Sequence, residues 1–195
     1  MNFFRKIFGK GSSAGKETDQ SLDVLHLWED DYLMIELLPF ENLEFVKKET
    51  QRINNFGQEH FDGQSFTEIT PIGEKPFNTI EKLIDISEIE DIIAKSGLEK
   101  ISQFHMQDVG LLTGDKAPLG FGGKHFAIIC DKQSRLLKHI WLTGHTKNDE
   151  ERQKLITALK LIGSNYNFIG VDWFKCEYYN LVEDVSVKEF VETSC

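Results

Sequence analysis

Residues 126–163 read FAIICDKQSRLLKHIWLTGHTKNDEERQKLITALKLIG. Phe126 to Asp131 and Leu136 to Leu142 are apolar runs separated by the polar Lys132 to Arg135, the pattern of a hairpin. Asn148 stands where a helix N-cap belongs, with Glu151 at the reciprocal position. Leu155, Leu159 and Ile162 form an apolar stripe at helical spacing, and Gly163 offers a C-terminal stop. The stretch therefore predicts strand, strand, helix.

Upstream, Leu22 to Trp28 and Tyr32 to Leu38 read as strands joined by the tight turn Glu29-Asp30-Asp31, and Pro39 ends the second. Leu43, Val46, Ile53 and Phe56 then follow a helical period up to Gly57. This is the same order of elements, a ββα pseudo-repeat without close residue matching. Between the two units, Gln58 to Lys82 is polar and irregular, with a short strand at Ser65 to Thr70. Ser87 and Glu90 have capping-box spacing ahead of a helix that stops at Gly97, and Ile101 to Met106 reads as a strand. Gly110 to Lys124 reads as a glycine-rich loop. Downstream, Phe168 to Trp173 and Cys176 to Leu181 are strands, and Ser186 with Glu189 opens a last short helix. Strand pairs followed by helices define an α+β class, with a mostly antiparallel sheet and helices packed on one face.

The 195 residues suit one domain over 22–195, preceded by a basic amphipathic leader and flexible linker over 1–21. Arg5, Lys6, Lys10 and Lys16 sit in that leader beside Phe3, Phe4, Ile7 and Phe8. The formal net charge is -10, and all 32 acidic residues follow the leader's basic cluster. Residues 1–8 have helical spacing suited to an anionic membrane surface, but barely two turns favour a frayed or docked terminus instead. No run is long enough to span a bilayer, and the charges break any secretory h-region. Three widely spaced cysteines, Cys130, Cys176 and Cys195, suggest thiols in a reducing cytoplasm rather than a disulfide framework.

Chemistry is sparse. Gly120, Gly122, Gly123, Lys124 and His125 offer the ingredients of a phosphate cradle. However, Pro118 and His125 stand where a P-loop needs Gly and Ser or Thr, and a strand follows where a dinucleotide fold needs a helix. A connecting loop explains these glycines more simply. The six histidines lack metal-ligand spacing, although His105, Asp108, His125 and His139 remain candidates for convergence in space. Cys130 fits a core thiol, and Cys176 is the better placed candidate nucleophile. No catalytic set, metal site or cofactor is assigned.

An acidic body repels phosphates, which argues against direct nucleic-acid binding, and it attracts basic proteins. Glu29, Asp30, Asp31, Asp149, Glu150 and Glu151 are the candidate contact residues, with Trp28, Trp141, Trp173, Tyr178 and Tyr179 as candidate anchors. The alternative is a small-molecule-binding domain or enzyme using loop 110–124.

The segments Glu36-Leu37-Leu38-Pro39 with Glu41-Asn42, Trp141-Leu142-Thr143-Gly144 and Val171-Asp172-Trp173 resemble small cytosolic immunity proteins encoded beside bacterial polymorphic toxins. The resemblance implies a stoichiometric inhibitor that covers a toxin's active site. For a nuclease toxin, acidic side chains would stand in for the phosphates it normally binds.

Overall fold

The computed structural model describes residues 24–106, 109–123 and 125–195. The leader, the linker, the start of the first expected strand, Asp108 and Lys124 lie outside these residues. Ten strands run in chain order: β1 (Val24–Leu27), β2 (Ile35–Pro39), β3 (Glu99–Ile101), β4 (Gln103–Met106), β5 (Gly110–Thr113), β6 (Leu119–Gly122), β7 (Phe126–Gln133), β8 (Leu136–Gly144), β9 (Phe168–Asp172) and β10 (Glu177–Asn180). The α-helices are α1 (Leu43–Glu59), α2 (Ile86–Ala94), α3 (Asp149–Tyr166) and α4 (Asp184–Ser194).

The hairpin read from residues 126–142 is the centre of a seven-stranded sheet, ordered β10-β9-β2-β8-β7-β6-β3. Every neighbouring pair in it is antiparallel. The β7–β8 turn tightens to Ser134 and Arg135, with Ser134 at φ 59, the left-handed geometry that two-residue hairpins favour. A register shift between Asp131 and Lys132 leaves Lys138 as the extra residue of a bulge.

Alternation along β7 and β8 sends Phe126, Ile128, Cys130, Ile140 and Leu142 to one face, where α2, α3 and α4 cover them. Leu155, Leu159 and Ile162 of α3 are all fully buried there, as their spacing predicts. Burial, with Asp131 adding to it, pushes the Cys130 thiol well above its ordinary range, as expected of a core residue. The fold is thus α+β with a large antiparallel sheet. Three helices share a face, while α1 lies over the opposite one, where Val46 joins Leu38, Ile169, Val171 and Trp173.

The first half of the pseudo-repeat departs from its reading. β1 does not pair with β2; it pairs in parallel with β4, and β5 completes a separate three-stranded sheet. Glu29–Asp31 form a 3-10 turn, and Leu33 at φ 59 redirects the chain between the two sheets. Leu25 and Leu27 thereby reach the outer face of the large sheet and pack with Phe104 against Ala127, Ile129 and Trp141.

Several boundaries also move. The segment 110–124 is not one loop, because β5 and β6 occupy most of it. A Cβ on Gly120 would lie 2.4 Å from the Phe104 ring, so this glycine serves sheet-to-sheet packing. α1 continues through Gly57, whose cost inside a helix is only about 1 kcal/mol, and Phe56 stacks on His60 across it at 4.1 Å. α3 continues past Gly163 to Asn167 at φ 56, whose N–H donates to the Gly163 carbonyl at 2.8 Å. Gly163 instead admits the Leu181 backbone, whose carbonyl oxygen would lie 2.3 Å from a Cβ. Asp85, not Ser87, caps α2, accepting from the Ser87 N–H at 3.0 Å. No strand forms over 65–70, since Asp62 folds the chain into a turn through the N–H groups of Gln64 and Ser65. α4 starts at Asp184, and Ser186 Oγ accepts the Asn180 N–H at 2.8 Å.

Candidate functional site

The small sheet stands over only part of the large one, and the space left beside β1 becomes a cleft of about 590 Å³. Its floor is Asp131 and Trp141, which alternate with core residues along β7 and β8 and so project outward. One wall is Leu27, Trp28 and Tyr32 from β1 and the 3-10 turn; the other is Met106 and Leu112 with Ala117 and Pro118. Trp28 is 58% exposed at the edge. Glu29, Asp115, Lys116 and Lys132 bring charges of both signs to the rim.

Two polar atoms on the floor are unsatisfied. Asp131 Oδ2 and Trp141 Nε1 are buried without a hydrogen-bond partner among the described residues, a costly arrangement in a protein interior. Tyr32 stacks edge-on to Trp141 at 5.3 Å between ring centroids. The Tyr32 hydroxyl and the Trp141 indole sit near enough to the Asp131 carboxyl to favour its ionised form, yet neither completes a hydrogen bond to Oδ2. Burial outweighs both, and Lys138, so the Asp131 pKa lies above the usual carboxylate range. Burial and then the Asp131 charge push Tyr32 up to about 12.

Beside Tyr32, at 6.5 Å between ring centroids, His139 lies opposite Asp131 in the register and is pushed down to about 4 by burial and by Lys138 and Lys75. The unfolded chain takes up this proton near pH 6.5, before the fold does. His139 therefore contributes full stability above that pH and loses it as pH falls toward 4. Allowing for its partial exposure to solvent, the loss is about 1–2 kcal/mol. Urea denaturation at pH 7 and pH 4.5 should show this loss in the parent and not in His139→Gln; equal losses in both would refute the assignment.

Of the six acidic residues expected from sequence to form a contact site, only Glu29 lines this cleft, beside the expected anchors Trp28 and Trp141. Glu29 and Asp30 are exposed on the 3-10 turn and make no ion pair among the described residues. Asp31 accepts the Thr143 hydroxyl at 3.1 Å. Asp149 and Glu150 pair within α3 with Arg152 and Lys154, and Glu151 accepts the Lys147 N–H at 2.7 Å, closing the predicted cap from one residue farther back. Glu150 and Glu151 line a different depression from Glu29, together with Gly122 and Gly123. Gly122 is itself a strand residue whose Cβ would meet the Phe126 carbonyl oxygen at 2.3 Å. His125 borders a third hollow of about 380 Å³ with His26, Trp28 and Asp31, so a space does adjoin it although Gly120 and Gly122 are committed to packing.

Cys176 is a poor nucleophile, since burial and the charges of Asp172 and Glu177 raise its pKa. No set of three or more His, Cys, Asp or Glu among the described residues could hold a metal. No described helix is long and apolar enough to cross a membrane. Trp173 is buried, its Nε1 donating to Glu36 at 2.7 Å, whereas Tyr178 remains partly exposed. Sequence reasoning missed Asp131 because it reads only as the last, polar residue of an apolar strand beside a turn. The outward parity of Ile129 and Asp131 was the available signal. No family model matches the chain, nor does any curated protein or solved structure.

Proposed function

We propose that this chain is a non-enzymatic, cytoplasmic binding module for a basic protein, acting as an immunity-type inhibitor of a toxin domain. The observation that supports it best is the 3-10 turn, which presents exposed Trp28 and Tyr32 beside exposed Glu29 and Asp30. An aromatic anchor flanked by acidic groups suits a basic surface, with the aromatics supplying affinity and the charges steering encounter. The formal charge of -10 supports the same sign of partner. Asp149 and Glu150 pair along α3 yet stay exposed, so they remain candidates for a second patch of the same acidic surface.

The test is capture of a partner from the native cell at low salt, followed by reconstitution with the purified partner. A basic protein should be retained and its activity inhibited at one-to-one stoichiometry. Binding should weaken at about 1 M salt, where the screening length is about 3 Å. Trp28→Ala should cost at least about 2 kcal/mol of binding. A partner held equally well by Trp28→Ala and at high salt would refute this contact surface.

A second reading, ligand binding, is supported by the cleft over Asp131 and Trp141 rather than by the glycine-rich segment. Its volume is within the roughly 300–1,000 Å³ range of small-molecule sites.

A further inference from the structure

The ligand-binding reading gains a chemical class from the two unsatisfied atoms on the cleft floor. Trp141 Nε1 can only donate, while an ionised Asp131 Oδ2 can only accept. Both are buried and lack partners among the described residues, and Trp141 is only 3% exposed. An ammonium or guanidinium group would satisfy Asp131 and leave the indole N–H unpaired. A carboxylate would satisfy the indole and face the Asp131 charge. A carboxamide offers a carbonyl acceptor and an N–H donor on adjacent atoms, and it satisfies both without adding charge.

The walls restrict what the amide is attached to. Leu27, Tyr32, Met106, Leu112 and Pro118 are apolar or aromatic, and a flat ring between them buries well. The opposed charges of Asp115, Lys116 and Lys132 give the rim no strong preference for a charged ligand. The volume suits a small molecule rather than an extended segment of another chain. We propose that the cleft between the two sheets binds a neutral, planar small molecule carrying a carboxamide-like edge, with Trp141 Nε1 donating to its carbonyl and Asp131 accepting from its N–H. The upward displacement of the Asp131 pKa by burial agrees with a neutral ligand. A protonated Asp131 still offers a carbonyl oxygen to the same N–H.

This inference rests on the ligand-binding reading, and four probes separate its failure from the failure of that reading. The full chain is titrated with benzamide, benzoate, benzylammonium and acetyl-leucyl-leucinamide while the three indole N–H resonances are followed by NMR. Benzamide should bind with a Kd on the order of a millimolar, as a fragment of its size allows, and should shift the Trp141 resonance. Asp131→Leu and Trp141→Phe should each weaken it about tenfold, the effect of one lost hydrogen bond, in variants whose remaining spectrum is native.

Preference for benzylammonium or benzoate would overturn the carboxamide assignment while keeping the cleft as a ligand site. Preference for the capped dipeptide would transfer the cleft to a peptide partner. Saturation with none of the four would overturn the ligand-binding reading as well. Because the ranking is read on the parent protein, the result does not depend on whether either variant folds.

Discussion

Phe104→Ala is expected to lower the unfolding free energy by about 3–5 kcal/mol, the range for truncating a buried Phe. The ring is fully buried on β4 and sits over Gly120 of β6, pinning the three-stranded sheet to the outer face of the large one. Removing it leaves a cavity between two sheets whose backbones are each held by their own ladders, so collapse is incomplete. Chemical denaturation checks the magnitude, and a loss below about 1 kcal/mol would show that the small sheet is held by other contacts. A double-mutant cycle sharpens the test. Gly120→Ala alone places a Cβ into the Phe104 ring, whereas in the Phe104→Ala background that space is open. The two substitutions should therefore couple by roughly 1–3 kcal/mol, with the second partly rescuing the first.

Glu36→Ala should cost about 3–5 kcal/mol, because it strips the partner from two groups at once. Glu36 is 1% exposed on β2, pairs with Lys75 Nζ at 2.7 Å and accepts the Trp173 indole N–H at 2.7 Å. Its removal leaves a largely buried ammonium and an orphaned indole donor. Glu36→Gln keeps an acceptor for Trp173 and should be milder. Burial raises the Glu36 pKa despite the opposing effects of Lys75 and Trp173. A carboxyl whose folded pKa is raised gains stability as pH falls through that folded value, because the fold then holds the proton more tightly than the unfolded chain. Thermal unfolding at pH 7 should accordingly place Ala lowest, with Gln close to the parent, since burial of the charge itself carries a cost. A Gln variant as damaged as Ala would mean that the charge on Glu36, rather than its hydrogen bond to Trp173, holds this junction.

The elements most legible in the sequence were those whose periodicity and end signals agreed. The β7–β8 hairpin and α3 carry two apolar runs, a helical stripe and an Asn148 cap within 38 consecutive residues, and each element forms there, although the turn shortens and α3 runs past Gly163. Glycines were the least reliable signals. Gly57, Gly120 and Gly163 were each read as breaks or loop residues, and each lies inside a regular element. For Gly120 and Gly163 the reason is a close approach by a distant residue, Phe104 or Leu181, which local sequence does not encode. The acidic clusters were visible, but whether a carboxylate is free or committed depends on its neighbours. Glu29 and Asp30 make no ion pair among the described residues, while Asp149 and Glu150, equally exposed, pair along α3 with Arg152 and Lys154.

By itself the sequence determined the α+β class, the central hairpin, the cap of α3 and the acidic charge. These follow from local periodicity, local capping and composition. The tertiary structure alone decided that β1 leaves β2 to run parallel with β4, although 79 positions separate Val24 from its partner Gln103. That long-range pairing carries Trp28 and Tyr32 over Asp131 and Trp141 and so creates the cleft. Pairing between strands so far apart in sequence is selected by the apolar area buried between whole sheets, a quantity that no local window contains.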